Sequence, residues 1–242
     1  MKKITIILSI IIWSHSVYAQ TWIDIGLKGG YGVNYLVNKN FSNDRGFSQN
    51  LSFGHMYGGK IGINFNENHA LTIDLVSSAF DQSFTYSKDT NRSNYIRGIG
   101  FNALNFLLMY RKTLNASYFE IGPQYSTITN TRGSDNFTQT KNVDISENLV
   151  KSYYSAVMGF GGYLMGTENF RVTIGLRFSY ALNDIISEKG KQIDFPSIAK
   201  YESYKPSNPL TAMVVIELDL DVGYFTKTKC KKKKTSFLLF SN

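Results

Sequence analysis

The residues able to do chemistry fall into two sets, one sparse and one patterned. In the sparse set, His55 and His69 are the histidines that lie beyond the N-terminal leader. Acyl hydrolysis or transfer at a bilayer edge would need a serine and an acid beside one of them. His55 could approach Ser48 or Ser52, but no nucleophile motif surrounds these residues, and the two histidines fall at opposite rims of the structure that the segments below imply. The single cysteine, Cys230, lies in a lysine run that favours its thiolate. A lone cysteine allows neither an intramolecular disulfide nor a cysteine-based metal set. No catalytic, cofactor-binding or metal-ligating residue is therefore expected, and the chain does not read as an enzyme. The patterned set is Asp24, Lys28, Lys60, Asp74, Glu120, Arg171, Arg177, Glu217, Asp219 and Asp221. Acidic and basic members nearly balance, so the chemistry open to them is ion pairing, or a proton or ion path if they line one.

These charges are positioned by segments of strand length. In the seventh, Phe170, Val172, Ile174, Leu176, Phe178, Tyr180 and Leu182 alternate with Arg171, Thr173, Gly175, Arg177, Ser179, Ala181 and Asn183. The eighth sets Val214, Ile216, Leu218, Leu220 and Val222 against Glu217, Asp219 and Asp221, and the first sets Ile23, Ile25, Leu27 and Tyr31 against Asp24, Gly26, Lys28 and Gly30. A period of two over such lengths specifies strand. Eight segments occur, with short links at Asn66–His69, Lys112–Ala116 and Gly166–Asn169 and long polar links at about Leu36–Phe53, Ser87–Gly98, Thr131–Val150 and Asp184–Pro209. That rhythm belongs to an outer-membrane barrel, with short periplasmic turns and longer outer loops.

A soluble barrel would also alternate, burying its apolar face inward. Segment length favours the membrane, because soluble strands average about 5–6 residues and a tilted membrane strand needs about 9–11 within the bilayer. An aromatic girdle on the short-turn side points the same way: Trp22, Phe65, Tyr110, Tyr118, Tyr163, Phe170, Tyr224 and Phe225. The expected fold is all-β, an eight-stranded antiparallel up-and-down transmembrane β-barrel over residues 20–225. Pro123 predicts a bulge or an irregular pair of hydrogen bonds in the fifth segment. In the third, Leu71, Ile73 and Leu75 give way to Phe80, Phe84 and Tyr86, which predicts a bulge near Ser77 or an extension above the membrane. The facing of the third and sixth segments stays open.

With apolar faces toward lipid, the ten charges point into a lumen only wide enough to be filled by side chains. Arg171 and Arg177 are then expected to meet Glu217, Asp219 or Asp221 on the neighbouring strand, with Lys28 approaching from the other side. The expected result is a salt-bridged plug. The loops, rich in Asn, Ser, Thr and Tyr at 134–140 and 201–208, are expected to be solvated and available to a partner.

Lys2 and Lys3, the apolar run Ile4–Trp13 and small residues at Val17 and Ala19 predict a secretory leader over residues 1–19. The chain carries 26 basic and 18 acidic side chains, a net +8. Two of the lysines lie in the leader and six in a tail at 226–242, so the body holds eighteen of each sign. Nucleic acid is excluded as a partner by export and by this neutrality, and the tail is expected to be periplasmic and disordered. Asn91-Arg92-Ser93 matches a glycosylation pattern that has no expected role in a bacterial exported barrel.

The first segment, Ile25-Gly26-Leu27-Lys28-Gly29-Gly30-Tyr31-Gly32-Val33-Asn34, resembles the opening strand of PorT-like outer-membrane β-barrel proteins, which begin with a Gly-apolar-Lys-x-Gly-x-Asn pattern. Gly58-Gly59-Lys60-Ile61-Gly62 and the overall plan extend the likeness from about Thr21 to Phe225. The resemblance implies an integral outer-membrane protein of a Gram-negative bacterium and, by its best-known member, an accessory to a secretion apparatus. The expected partners are outer-membrane lipid and envelope or secretion proteins, with no cofactor. A stand-alone adhesin or envelope-stabilising barrel is the alternative, and a lipid-modifying enzyme the third.

Overall fold

The computed structural model describes residues 21–87, 95–136, 138–167, 169–197 and 200–224. The leader, the tail with Cys230 and its lysines, Phe225 and the Asn91 pattern lie outside the described residues. Among the described residues ten strands are present: β1 (Trp22–Val37), β2 (Phe47–Asn50), β3 (Ser52–Asn66), β4 (His69–Tyr86), β5 (Tyr95–Leu114), β6 (Ser117–Asp135), β7 (Thr140–Val143), β8 (Ser152–Gly166), β9 (Phe170–Ala181) and β10 (Asn208–Tyr224). Two five-residue helices, α1 (Lys39–Asn43) and α2 (Glu188–Gln192), lie in the first and last long links. No described helix is long and apolar enough to cross a membrane.

Eight strands close a ring in the order β4-β3-β1-β10-β9-β8-β6-β5, with β4–β5 pairing as the seam, and every neighbour is antiparallel. Closure leaves no unpaired edge, which hydrocarbon demands. The turns are built by their own residues. Asn66 Oδ1 accepts from the backbone N–H groups of Asn68 and His69 at 2.8 Å each, and Asn115 takes φ 56° between β5 and β6, a left-handed conformation that asparagine tolerates. Leu27, Tyr57, Ile61, Ile73, Phe106, Ile121, Phe160 and Ile216 are exposed on the outer face, as the period of two predicts.

The third segment has no bulge. β4 keeps one register against β3 from His55↔Ala79 to Asn64↔Ala70, and against β5 along its whole length. The apolar phase switches because the environment does: Leu71, Ile73 and Leu75 meet lipid outside, whereas Phe80 and Phe84 point inward above the membrane. There β2, β4, β5, β6 and β7 continue as an open sheet whose outward face carries polar side chains beside the exposed Ile96. On that face Arg132 donates to Asp81 at 2.9 and 2.6 Å and to Asn102 Oδ1 at 2.9 Å. At Pro123 the β5–β6 ladder skips two pairs between Leu107↔Gln124 and Tyr110↔Ile121 without changing register, so the irregularity is missing hydrogen bonds and not a bulge. A register shift does occur higher up, between Asn102 and Ala103. In β8, Tyr154, Met158 and Phe160 are exposed outside, and Tyr153, Ser155 and Val157 are buried within.

The first and last long links are not solvated coils. Leu36, Phe41, Phe47, Phe80, Phe84, Ile99, Phe101, Leu149, Ile185, Ile186 and Phe195 form one buried cluster at the outer mouth. Phe41, Phe47 and Phe84 pack tilted or edge-on with centroids 4.6 to 5.6 Å apart, and Phe80 stacks on Phe101 at 4.9 Å. The expectation of solvated loops is corrected for the first and last links, whereas Ser134, Asn136, Thr138, Gln139 and Thr140 are exposed as expected. A few apolar residues in the polar links, Leu36, Phe41 and Phe47 in one and Ile185, Ile186 and Phe195 in another, suffice to build a core once the strands bring the links together. Hydrogen bonds lock this cap. Asp184 accepts from Ser207 N at 3.0 Å and from Tyr204 OH at 2.6 Å, Asn38 Nδ2 donates to Ser207 Oγ at 2.8 Å, and Arg97 donates to the carbonyls of Pro196 and Ser197.

Candidate functional site: a charge-filled lumen beneath the cap

The barrel interior interleaves small residues with long charged ones, and the two are matched across strands. An added Cβ on Gly62 would lie 2.1 Å from Asp24 Oδ1, on Gly26 2.3 Å from Asp219 Oδ1, and on Gly159 2.9 Å from Glu120 Oε1. Glycine on one strand thus makes the space that a carboxylate from another strand fills.

All ten predicted charges are drawn into the lumen, and an eleventh, Arg111 of β5, joins them. The central group has three cations and three carboxylates. Lys28 donates to Asp74 at 2.6 Å and lies 3.3 Å from Glu217, and Arg111 bridges Glu217 at 2.7 and 2.8 Å and Glu120 at 2.7 Å. Arg177 donates to Glu120 at 2.5 and 2.9 Å and stands 3.2 Å from Asp74. Lys60 joins this group to the next, donating to Glu217 at 2.5 Å and lying 2.9 Å from Asp219 and 3.9 Å from Asp24. At the periplasmic end Arg171 bridges Asp221 at 2.7 Å and Asp24 at 3.1 Å. The two glycine-rich lysine motifs, around Lys28 and Lys60, therefore converge on one carboxylate, Glu217.

Two expectations need correction. Arg177 does not meet the acids of β10. It crosses the lumen to β6 and β4, because a long guanidinium in a narrow barrel reaches past its ladder neighbour. Lys28 does approach Glu217 from the other side, and Arg171 does meet Asp221. Trp22, Tyr118 and Tyr163 are not girdle residues: they are only 8%, 6% and 9% exposed and face inward. Strand parity explains this. Trp22 shares the face of Asp24 and donates from Nε1 to Asp221 at 3.2 Å. Tyr118 shares the face of Glu120, and its ring centroid lies 4.2 Å from the Arg111 guanidinium carbon, a cation–π contact. Phe65 and Tyr110 are exposed outside, Phe170 is half-buried at the start of β9, and Tyr224 ends β10 opposite Trp22. Arg111 was readable by the same parity, since Leu104, Phe106, Leu108 and Tyr110 take the lipid face and leave residue 111 inside.

Two small cavities flank the charges. One of about 40 Å³ lies under the cap, between Phe80 and Tyr153 above and Arg177 below. The other, of about 30 Å³, lies at the periplasmic end among Trp22, Asp24, Lys60, Asn64, Arg171 and Asp219. Each is large enough only for a few waters, given roughly 10–15 Å³ of such space per water. The histidines stay apart from any nucleophile. His55 is exposed on the outer face with its ring stacked on Tyr57 at 6.3 Å, whereas Ser52 is buried and its Oγ bonds Asn50 O and Ser83 N. His69 pairs with Tyr110 OH at 2.5 Å on the periplasmic rim. Among the described residues no group of His, Cys, Asp and Glu is arranged to hold a metal.

With a closed antiparallel ring, lipid-facing apolar strands and a polar interior established, the comparison with known families is decisive. The model of the outer membrane protein beta-barrel domain matches residues 18–187. The chain belongs to that family. This β-barrel domain protein accordingly resides in the outer membrane of a Gram-negative bacterium. Similar solved structures include OprG from Pseudomonas aeruginosa, 11% identical over 84% of this chain and 97% of that one, with TM-score 0.43. Neisserial surface protein A is 10% identical over 81% and 95%, with TM-score 0.37. Ail of Yersinia pestis, solved with a heparin analogue, is 12% identical over 84% and 100%, with TM-score 0.37. No curated protein matches the chain.

Proposed function

We propose that this barrel is a sealed anchor or accessory of an envelope or secretion assembly, acting through its folded outer cap. The observation that carries the reading is the cap's own hydrophobic core, in which Ile185, Ile186 and Phe195 from one link pack with Phe41 and Phe47 from another. A core of this kind holds the loop surface in one shape, and a preorganised surface binds a partner at lower entropic cost than a mobile one. Two obstructions, the charge layer and the cap, lie in series along the lumen and argue against transport as the primary role. The likeness of Gly26–Asn34 to PorT-like barrels supports a secretion accessory in particular, and the outward apolar band gives outer-membrane lipid as the constant partner.

Purification of the tagged protein from native outer membranes under mild crosslinking tests the proposal. A defined set of envelope or secretion proteins at stoichiometric yield is the expected result, and a solitary barrel overturns it. In that case the exterior position of the cap favours the second reading, a stand-alone adhesin or envelope-stabilising barrel. Lipid modification is not proposed, because His55 and Ser52 lie on opposite faces of β3. The sealed state has its own check: no steady conductance in a planar bilayer.

A further inference from the structure

Above the membrane, the outward face of β4, β5 and β6 continues the lipid-facing wall. β4 keeps one register against β5 from His69 to Tyr86, so Ile73 and Leu75, which meet lipid below, share a face with Asp81 and Ser83 above. On β5 the same face runs from Phe106 and Leu104 to Asn102, Gly100 and Gly98. β6 keeps this face only through its register shift. Tyr125 and Thr127 point outward, Thr129 is the extra residue opposite the Asn102–Ala103 step, and beyond it Asn130, Arg132 and Ser134 take the outward positions. The bulge thus turns Arg132 away from the cap and onto Asp81.

The face so made is flat and polar. Asp81, Gly100 and Arg132 are ladder partners in one rung, and the ion pair lies across the glycine: a Cβ on Gly100 would fall 2.3 Å from Asp81 Oδ1 and 2.8 Å from Arg132 Nε. Ser134 lies over Gly98 in the same way, its Oγ 2.5 Å from where a Cβ would stand. Arg132 donates to both oxygens of Asp81 and to Asn102 Oδ1, so the group is neutral and its guanidinium is not held for a phosphate. The Asp81 side chain is nevertheless 45% exposed, and Asn130 and Ser134 are exposed beside it. A carboxylate with open lone pairs, next to an amide and a hydroxyl, suits a ligand rich in hydroxyl groups.

Height decides what meets this face. Between the exposed apolar residues Leu104 and Ile96, the outward positions of β5 are Asn102, Gly100 and Gly98. Gly100 lies four residues beyond Leu104, which at about 3.3 Å per residue and a tilt near 40° sets its rung roughly 10 Å above the last lipid-facing leucine. A phospholipid headgroup layer is only about 5–8 Å thick on each side of the hydrocarbon. A lipid that reaches the Asp81–Arg132 rung therefore carries a larger headgroup. We propose that this face is a docking surface for the saccharide headgroups of outer-leaflet glycolipid, whose acyl chains lie against the apolar part of the same wall. The inference stands apart from the proposed assembly role, because it uses the flank of the sheet and not the cap.

The test places the full chain in phosphatidylcholine vesicles containing lipopolysaccharide with its core sugars, lipid A without them, or phosphatidylglycerol. Native mass spectrometry after release into mild detergent counts the lipid retained. The wild type should retain the sugar-bearing lipid in preference to the other two. Asn130→Ala should lower that retention about fivefold, the effect of one ordinary hydrogen bond, and Asp81→Ala combined with Arg132→Ala should lower it further. Glu147→Ala with Lys189→Ala, which removes an exposed ion pair of the cap, should leave it unchanged. Asn130 is exposed, so its truncation decides the matter even where the double variant on the sheet fails to fold. Equal retention of lipid A or of phosphatidylglycerol by the wild type overturns the proposal, and so does an Asn130→Ala variant that retains as much lipopolysaccharide as wild type.

Discussion

Replacing Glu217 with glutamine keeps the side-chain shape and removes the charge on which three cations converge. Lys60 at 2.5 Å, Arg111 at 2.7 and 2.8 Å and Lys28 at 3.3 Å all lose their shared anion. Removing one partner of a buried ion pair costs about 3–5 kcal/mol. Each cation here keeps a second carboxylate, Lys28 on Asp74, Arg111 on Glu120 and Lys60 on Asp219, which places the expected loss near the lower end, about 3 kcal/mol. The total count of the lumen becomes even in the variant, but the central group is left with three cations and two carboxylates, so the strain is local. Urea titration in lipid vesicles, followed by tryptophan fluorescence and by gel mobility, measures the loss. A fall of less than about 1 kcal/mol, the size of an ordinary neutral hydrogen bond, would refute the view that Glu217 is the hub. The double variant Glu217→Met with Arg111→Met should be less destabilised than the sum of its parts, by a coupling of about 0.5–3 kcal/mol expected of residues in contact.

Three further outcomes are expected. Phe84→Ala removes a fully buried ring from the cap and should cost about 3–5 kcal/mol, read as protease cleavage within 182–207 on intact cells while the membrane-embedded strands stay protected. Gly62→Ala drives a Cβ to 2.1 Å from Asp24 Oδ1, whereas Gly29→Ala meets nothing within 4 Å on the lipid face. The first should therefore destabilise by about 1–3 kcal/mol and the second by much less, as compared in the same urea titration. Burial and the neighbouring Asp44 carboxylate push the Tyr201 phenol up to about 12, and burial together with its hydrogen bond to Asp184 raises Tyr204. A folded-state value above the unfolded one means stability that is complete below about pH 10 and lost as pH rises through the folded value. Protease resistance of the cap should thus decline above about pH 10, and the decline should flatten in the double variant Tyr201→Phe with Tyr204→Phe.

Most of the fold and part of the site were legible in the sequence, and strand parity marks the boundary. Alternation placed Leu27, Ile61 and Ile216 against lipid and Lys28, Lys60 and Glu217 in the lumen, because each assignment needs only the residues two positions away. Nearness to a segment end suggests the girdle for Trp22, Tyr118 and Tyr163, but parity puts them inside with Asp24, Glu120 and Gly161. The Arg177–Glu120 pair was not legible, since β9 and β6 are not ladder neighbours and the contact depends on the barrel's width. Nor was the cap. Ile185, Ile186 and Phe195 stand in a polar link without period, and only the closure of the ring brings them onto Phe84 and Phe101.

The lumen charges also explain how the barrel can hold a single register. A one-residue slip between β1 and β10 would turn Asp219 and Asp221 toward lipid, at a cost of a few kcal/mol for each charge at depth. A two-residue slip is the subtler error, because it preserves facing. It would still move Asp219 off Gly26, its partner in the β1–β10 ladder, and onto Lys28 or Asp24. The carboxylate would then meet a filled face where it now meets a glycine. Small and charged residues alternate along β1 itself, as Asp24, Gly26, Lys28 and Gly30, so each two-residue step exchanges room for obstruction. The pairing of glycine with carboxylate therefore discriminates between registers that hydrophobicity alone treats as equal, and the lysine motifs of β1 and β3 are the parts of that register code which meet at Glu217.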